Sequence, residues 1–160
     1  MSDCAHPGLT AIGWREWLSL PELGIPYLKA KVDTGARTSA LHACYLEPFR
    51  ERGAAMVRFG IHPLQRRTDI LIDCIAAVID RREVTDSGGH RERRYVIETP
   101  AVLGDVTWPL ELTLTNRDSM RFRMLLGRTA MEDRFMVIPS ASYLLGRRPA
   151  RVRRRAADTG

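Results

Sequence analysis

A short segment in the first third of the chain has the residue types of a catalytic loop. An apolar run ends at Val32 and is followed by Asp33-Thr34-Gly35-Ala36, so a carboxylate is delivered onto a turn that needs a glycine. The hydroxyl residues Thr34, Thr38 and Ser39 stand beside it in the sequence. This arrangement suits an aspartate that exchanges protons as a general acid or base. The plainer interpretation is an aspartate that begins a tight turn and accepts hydrogen bonds from nearby amides.

The length and composition of the chain indicate one ordinary globular domain. Its 160 residues are enough for one hydrophobic core and short for two. Apolar residues make up 44% and charged residues 28%, which is typical of a soluble protein. The longest apolar stretch, residues 70–79, is interrupted by Asp73 and is far shorter than the roughly 20 residues that span a bilayer. The N-terminus has no signal-peptide pattern, so we expect a cytoplasmic protein without membrane association.

The positive charge of the chain is concentrated at its C-terminus. The formal net charge is +6, and residues 147–160 contain six arginines against one aspartate, which gives this segment +5 and the remainder +1. A run of like charges at a terminus is usually a solvated, disordered tail. The alternative is a tail that contacts RNA or another polyanion through its phosphates.

The cysteines and histidines do not show the spacing of a preformed metal site. Three cysteines, an odd number at wide spacing, argue against a disulfide framework. His42 and Cys44 are two residues apart, but no C-x-x-C or H-E-x-x-H pattern occurs. No G-x-x-x-x-G-K-[ST] nucleotide-binding loop occurs either. We therefore expect no metal and no other cofactor.

Most of the chain has the two-residue periodicity of half-buried strands. In residues 108–115, Trp108 and three leucines alternate with Pro109, Glu111 and two threonines. Similar alternation or short apolar runs predict strands at residues 12–20, 25–32, 56–61, 70–79, 94–99 and 123–126. Turn-forming residues separate these segments. Many short strands with intervening turns indicate an all-β barrel or sandwich.

Helix is expected in only two places, at residues 46–52 and 128–134. The second follows directly after Met124-Leu125-Leu126-Gly127, so a strand that ends in glycine passes into a short helix. Between two predicted strands, Ser87-Gly88-Gly89-His90 is expected to form a mobile hairpin tip, because adjacent glycines permit many backbone conformations.

Three segments together resemble the retropepsin-like aspartic proteases, especially their bacterial branch labelled "ATP-dependent zinc protease" and associated with RimK-type glutamate ligases. The segments are VDTGARTSALHA at 32–43, FRMLLGRTAM at 122–131 and IGWREWLSLPELGIP at 12–26. This likeness implies a small closed β-barrel with a short helix after the Leu-Leu-Gly-Arg element. We therefore expect a mobile N-terminus over residues 1–10, a retropepsin-like domain over residues 11–146 and a disordered tail over residues 147–160.

By this resemblance the active site needs two protomers, because the chain contains one D-T-G. A symmetric homodimer would place two Asp33 carboxylates about one water molecule. Close carboxylates share a proton, so one acts as base and the other as acid. Thr34 would brace the loop across the dimer, Gly35 would let the backbone approach the substrate, and Ala36 would leave room at the dyad. The flap that closes over the substrate would comprise residues 87–90, including Gly88, Gly89 and His90.

Arg37 occupies a position where the viral enzymes commonly have a second aspartate. In the viral pattern that aspartate pairs with the arginine of the Gly-Arg element, here Arg128, which must therefore find another partner. A guanidinium at the edge of a cleft suits carboxylates. We predict that Arg37 and Arg128 bind substrate and that Arg37 favours acidic peptides such as oligo-α-glutamate tails. Further arginines that could line a basic cleft are Arg91, Arg93, Arg94, Arg121 and Arg123.

The sequence thus predicts an aspartic-type peptidase that cleaves peptide bonds in acidic or glutamate-rich segments as a homodimer, with Asp33 of each protomer activating water. The alternative is a non-catalytic β-barrel module that binds a polyanionic or glutamylated partner. In that case Asp33 would only shape its loop.

Overall fold

The fold is known from a computed structural model that describes residues 8–64, 68–85, 88–116 and 122–146. Within these ranges the chain forms twelve strands and one short α-helix, α1 (Arg128–Met131). The strands are β1 (Thr10–Ile12), β2 (Arg15–Leu20), β3 (Ile25–Val32), β4 (Ser39–His42), β5 (Tyr45–Glu51), β6 (Ala54–Ile61), β7 (Ile72–Ala77), β8 (Asp80–Thr85), β9 (Arg91–Leu103), β10 (Val106–Thr115), β11 (Met124–Leu126) and β12 (Phe135–Val137). The predicted all-β class is confirmed.

Six strands close into a barrel in the order β10, β4, β11, β3, β2 and β9, with β9 pairing back onto β10. Two of these neighbours, β10 with β4 and β11 with β3, are parallel, and the other four are antiparallel. The hairpin partner of β9, strand β8, continues the sheet outside the ring. This arrangement confirms the predicted small closed barrel, and α1 confirms the short helix after the Leu-Leu-Gly-Arg element.

Alternating side chains of the barrel strands form the hydrophobic core. Leu18 and Leu20 of β2 point inward and are buried, whereas their neighbours are partly exposed. On β10, Leu110, Leu112 and Leu114 are buried almost completely. Burying a leucine side chain contributes roughly 1.5–3 kcal/mol relative to leaving it in water. The core therefore fixes the barrel register, and with it the end of β3 that carries Asp33.

A buried carboxylate ties the last described segment to the barrel. Glu16 is 1% exposed, and its Oε2 accepts hydrogen bonds from the N–H groups of Gly13 and Leu144 at 2.7 and 2.9 Å. Its Oε1 accepts one from the Leu145 N–H at 3.2 Å. A buried charge is tolerated when hydrogen bonds replace its hydration. Glu16 therefore anchors residues 144–145 against β2.

The prediction of helix at residues 46–52 is wrong, because residues 46–51 belong to β5 and Arg52 lies in the turn that follows. Strand β5 pairs along its length with β6, from Tyr45 opposite Gly60 to Glu51 opposite Ala54. Arg52 and Gly53 both have positive φ, at 52° and 82°, which is the geometry of a two-residue type I′ hairpin turn. The turn and the partner strand determine the conformation of this segment. Strands β5, β6 and β7 form a separate three-stranded sheet.

Several predicted strand boundaries also differ from the structure. The predicted strand at 70–79 is shorter as β7, and the predicted strand at 94–99 is the middle of the longer β9. Thr10, expected in a mobile N-terminus, lies in β1, which pairs in parallel with β12. Residues 1–7 and the tail at 147–160 lie outside the described residues. None of the helices within the described ranges has the length and apolarity required to cross a bilayer.

Candidate active site

The loop that follows β3 holds the carboxylate of Asp33 in a defined position. The Asp33 N–H donates to the carbonyl of Leu126 at 2.9 Å, which continues the parallel pairing of β3 with β11. The Gly35 N–H donates to Asp33 Oδ1 at 3.0 Å, and the Ala36 N–H donates to the Asp33 carbonyl at 3.2 Å. Asp33 itself is half-buried. One carboxylate oxygen is thus oriented by the loop, and the side chain retains contact with solvent.

The backbone conformation of Gly35 does not require a glycine, but a side chain at this position would crowd Asp33. The φ of Gly35 does not lie in the left-handed region, where the chain has six other glycines among the described residues. A Cβ at this position would lie 3.3 Å from Asp33 Oδ1. The expected requirement for a glycine-specific turn is therefore wrong, and the glycine instead keeps the surroundings of the carboxylate open.

The chain that enters α1 closes the other side of this loop. The Arg128 N–H donates to the Ala36 carbonyl at 2.7 Å. The carbonyl of Arg37 accepts hydrogen bonds from the N–H and the hydroxyl of Thr129, at 3.2 and 2.8 Å. The Gly127 N–H donates to the hydroxyl of Ser39 at 2.9 Å. These bonds bind the D-T-G loop to the Leu-Leu-Gly-Arg element, so the two predicted landmarks form one unit.

Gly127 permits this close approach because it lacks a side chain. A Cβ on Gly127 would lie 2.5 Å from both the carbonyl carbon and the carbonyl oxygen of Thr38. These are backbone atoms, which cannot move without displacing the loop. The glycine is thus required by the packing of two backbone segments.

A cleft of about 1670 Å³ opens beside the loop. Its lining residues come from the D-T-G loop (residues 33–38), from α1 and the residues after it, and from β8, β9 and β10 with the tip of the β8–β9 hairpin. Six of the predicted site residues line it, namely Asp33, Gly35, Ala36, Arg37, Gly88 and His90. Of the predicted flap, Ser87 lies outside the described residues. The structure therefore brings the predicted aspartate and most of the predicted substrate-binding residues to one cleft.

Three predicted site residues are not among the described residues that line this cleft, namely Thr34, Gly89 and Arg128. Arg128 uses its guanidinium within the loop, because its Nη1 donates to the Thr34 carbonyl at 3.3 Å. That carbonyl is the alternative partner that the sequence left open for Arg128. Gly89 has a φ of 86° at the hairpin tip, a conformation that glycine adopts readily.

The charged residues of the described cleft wall are balanced in number. Arg37, Arg82, Arg94 and Arg134 line it together with Asp33, Glu83, Glu98 and Glu111. Arg82 contacts Asp80 at 3.2 Å and Glu111 at 3.3 Å. Arg94 contacts Glu92 at 2.6 Å. Over the described ranges, Arg37 and Arg134 have no carboxylate within ion-pair distance.

A buried polar network connects β9 and β10, which line the cleft, to the loop that follows Asp33. Arg94 is 8% exposed, and its Nη1 donates to the hydroxyl of Thr113 at 3.3 Å. The Thr113 hydroxyl donates to the Ser39 carbonyl at 3.1 Å. Because Ser39 also accepts the Gly127 N–H, the network joins β9, β10 and the loop beside Asp33. Such satisfied buried networks favour one arrangement of the groups they join.

Sequence reasoning did not identify Arg82, Trp108 and Arg134 as cleft residues. Trp108 gave an apolar signal, and the structure places its ring against Phe135 with centroids 5.1 Å apart. Arg134 lies just beyond α1, where no pattern distinguished it from a solvated arginine. Their positions follow from which strands become neighbours, which no local pattern specifies.

The candidate metal ligands are scattered in the part of the chain that the structure describes. There, no group of three or more His, Cys, Asp or Glu side chains lies close enough to hold a metal ion. His42 is buried, whereas Cys44 is exposed. Cys74 is buried, and its thiol donates to the Leu23 carbonyl at 3.3 Å. Burial, followed by the charge of Asp73, raises the pKa of the Cys74 thiol to about 12.

This raised pKa predicts unequal reactivity of the two cysteines. In a Cys4→Ser protein, iodoacetamide at pH 8 should alkylate Cys44 and leave Cys74 unmodified, because only the thiolate reacts. Peptide mapping by mass spectrometry before and after unfolding in urea measures both sites. The pKa is raised in the folded state, so protection should persist below pH 10 and weaken only as the pH approaches 12. Equal alkylation of both cysteines in the folded protein would contradict it.

Comparison with known proteins identifies a family whose sequence pattern this chain matches. Residues 11–148 match a family model described as RimB-like, retropepsin-like aspartic endopeptidase RimB. Relatives in Shewanella pealeana and Desulfotalea psychrophila, each named probable alpha-L-glutamate ligase, are 50% and 48% identical to the chain over 135 residues. The matched region is 84% of this chain but only 30% and 29% of those proteins. The chain therefore spans less than a third of the length of the curated relatives it matches.

A solved structure of a Legionella pneumophila protein of unknown function has the same fold. It superposes with a TM-score of 0.71 and covers 85% of this chain and 98% of its own. The sequence identity is 24%, so this likeness concerns the fold alone.

Proposed function

Because the chain belongs to the RimB-like family of retropepsin-like aspartic endopeptidases, we propose that it is a peptidase that uses Asp33 to hydrolyse peptide bonds in acidic, glutamate-rich segments. The observation that carries this proposal is the placement of Asp33. Its carboxylate leaves the end of β3, is oriented by the Gly35 N–H and lines a cleft large enough for a peptide segment.

The proposed chemistry requires a second carboxylate, which a homodimer supplies. The chain has one D-T-G, and a twofold axis beside Asp33 would bring the same residue of a second protomer to the site. Two carboxylates a few ångströms apart share one proton. The ionised Asp33 would remove a proton from water while its protonated mate donates a hydrogen bond to the scissile carbonyl. Water then adds to the carbonyl carbon, and collapse of the tetrahedral intermediate breaks the C–N bond as the leaving amine accepts a proton.

The preference for acidic substrates is proposed from Arg37. Its side chain is exposed, it lines the cleft, and among the described residues it has no carboxylate partner. A guanidinium binds a carboxylate through two parallel hydrogen bonds. The names of the relatives also support a glutamate-containing substrate, because a domain similar to this chain is part of proteins named as glutamate ligases.

A second candidate function is a binding module without hydrolytic activity. It is favoured by the observation that the matched region is only 30% of a relative named for ligation rather than hydrolysis. In that case the cleft would bind a glutamylated partner, and Asp33 would shape the loop through its bond to Gly35.

Mass spectrometry of an oligoglutamate-tailed peptide distinguishes the two functions. The peptide is incubated with the wild-type protein and with Asp33→Asn, and the products are identified. Shortening by the wild type alone supports the peptidase. Shortening by both proteins would remove Asp33 from the mechanism, and binding without shortening by either would establish the binding module.

Arg37 should control which peptides are cleaved. We expect Arg37→Met to lower kcat/KM for an oligoglutamate peptide about tenfold relative to an oligoglutamine peptide, because a hydrogen bond to a charged group contributes about 1.5–3 kcal/mol. Arg50→Met is the matched control, since Arg50 is exposed on β5 and does not line the cleft. An unchanged ratio of the two rates in Arg37→Met would refute the role of Arg37.

A further inference from the structure

Arg134 is a partly buried cation in the cleft wall. It follows α1, is half-buried and lines the cleft. Within the described ranges no carboxylate lies at ion-pair distance from its guanidinium. Burying even part of a charge without a counter-charge is unfavourable. A cation kept in this state at the wall of a cleft is suited to an anion supplied by a ligand.

The backbone holds Arg134 firmly at this position. Its N–H donates to the Met131 carbonyl at 3.1 Å, and its carbonyl accepts a hydrogen bond from the Thr10 N–H at 2.9 Å. The preceding Asp133 has a φ of 65°, which turns the chain sharply at the end of α1. The following Phe135 is buried against Trp108. With its backbone fixed on both sides, only the side chain of Arg134 remains to be ordered when a ligand binds.

The other cleft arginines are already neutralised or already assigned. Arg82 has two carboxylate partners and Arg94 has one. Arg37 lies near the start of α1, where Thr129 holds its carbonyl, whereas Arg134 follows the end of the same helix. Among the described residues that line the cleft, Arg37 and Arg134 are therefore the two arginines without a carboxylate partner, and their backbones adjoin the start and the end of α1.

We propose that Arg134 is a second carboxylate-binding residue, so that the cleft binds a peptide through two acidic side chains at once, one at Arg37 and one at Arg134. An extended peptide rises about 3.3 Å per residue and turns alternate side chains to the same face. Two guanidinium groups that line the same cleft can therefore bind acidic residues at two different positions of one peptide. This inference rests on the proposed function, because it assigns a further part of the same substrate.

The test measures binding without cleavage. In the Asp33→Asn protein, fluorescence polarisation gives the Kd of a labelled oligoglutamate peptide and of its oligoglutamine counterpart. We expect Arg134→Met to weaken oligoglutamate binding about tenfold and to leave oligoglutamine binding unchanged. Arg50→Met, the same substitution at an exposed arginine outside the cleft, should change neither Kd. Arg134→Lys preserves the charge and should lose less oligoglutamate affinity than Arg134→Met. If Arg134→Met does not fold, Arg134→Lys is used in its place.

Single Glu→Gln replacements in the peptide identify the subsite. A double-mutant cycle should couple Arg134 to one peptide position and Arg37 to a different one. The proposal would be overturned if Arg134→Met weakened the binding of both peptides equally, or if it weakened oligoglutamate binding no more than Arg50→Met does. It would also be overturned if both arginines coupled to the same peptide position. So would a failure of Asp33→Asn to bind oligoglutamate at all. If the wild type cleaves neither peptide while the selective effect of Arg134 persists, the proposed peptidase function fails and the subsite stands.

Discussion

Replacing Asp33 with asparagine should reduce peptide cleavage by about 10²–10⁴-fold while leaving the fold intact. Asparagine has nearly the same shape, and its side-chain oxygen can still accept the hydrogen bond from the Gly35 N–H. It cannot remove a proton from water. Initial rates from mass spectrometry, together with thermal unfolding curves of both proteins, separate loss of chemistry from loss of structure.

The same variant tests whether two Asp33 side chains share one site. If protomers exchange freely and a mixed dimer is inactive, a mixture of wild type and Asp33→Asn in equal amounts retains about a quarter of the activity of the same total amount of wild type. Protomers that act independently would retain about half. A protein that remains monomeric at concentrations where it is fully active would contradict the proposed dyad.

The sequence was most informative where local chemistry and burial agree. Alternating leucines on β10 predicted a strand with one buried face, and the structure places Leu110, Leu112 and Leu114 in the core. It was least informative for β5, because the segment has no regular alternation of apolar and polar residues and its conformation depends on a partner strand. A two-residue turn at Arg52-Gly53 reverses the chain, and arginine rarely adopts a positive φ, so the sequence did not indicate this turn.

The candidate site likewise has parts that local sequence patterns predicted and parts that they did not. The D-T-G loop and the Gly-Arg element were found as separate landmarks, and their direct contact was implied only by family resemblance. The contact depends on the pairing of β11 with β3 and on a glycine that clears Thr38. Arg134 had no local signal, since its place in the cleft depends on Asp133, Thr10 and the packing of Phe135. Residues distant in sequence determine its position, so local patterns could not reveal it.

Replacing two glycines of the site with alanine should affect stability to different extents. Gly127→Ala would place a Cβ 2.5 Å from backbone atoms of Thr38, so the loop or α1 must move. We expect a loss of about 1–3 kcal/mol in the free energy of unfolding. Gly35→Ala would place its Cβ 3.3 Å from Asp33 Oδ1, a contact that a small rotation of the side chain relieves. We expect its stability to change by no more than about 0.5 kcal/mol.

The effect on activity should be the reverse: per folded molecule at low temperature, Gly35→Ala should be less active than Gly127→Ala. Rotation of the Asp33 carboxylate in Gly35→Ala displaces the reacting group, and displacements of this kind lower rates by up to about 10²-fold. Urea unfolding and kcat/KM for the same peptide, measured on both variants, provide the comparison. A Gly35→Ala protein with full activity would mean that the space beside Asp33 is not used by the reaction. A Gly127→Ala protein as stable as the wild type would mean that the loop and the Gly-Arg element are not packed as tightly as their hydrogen bonds indicate. The position of Asp33 would then depend on β3, the Leu126 carbonyl and the hydrogen bonds within the loop itself.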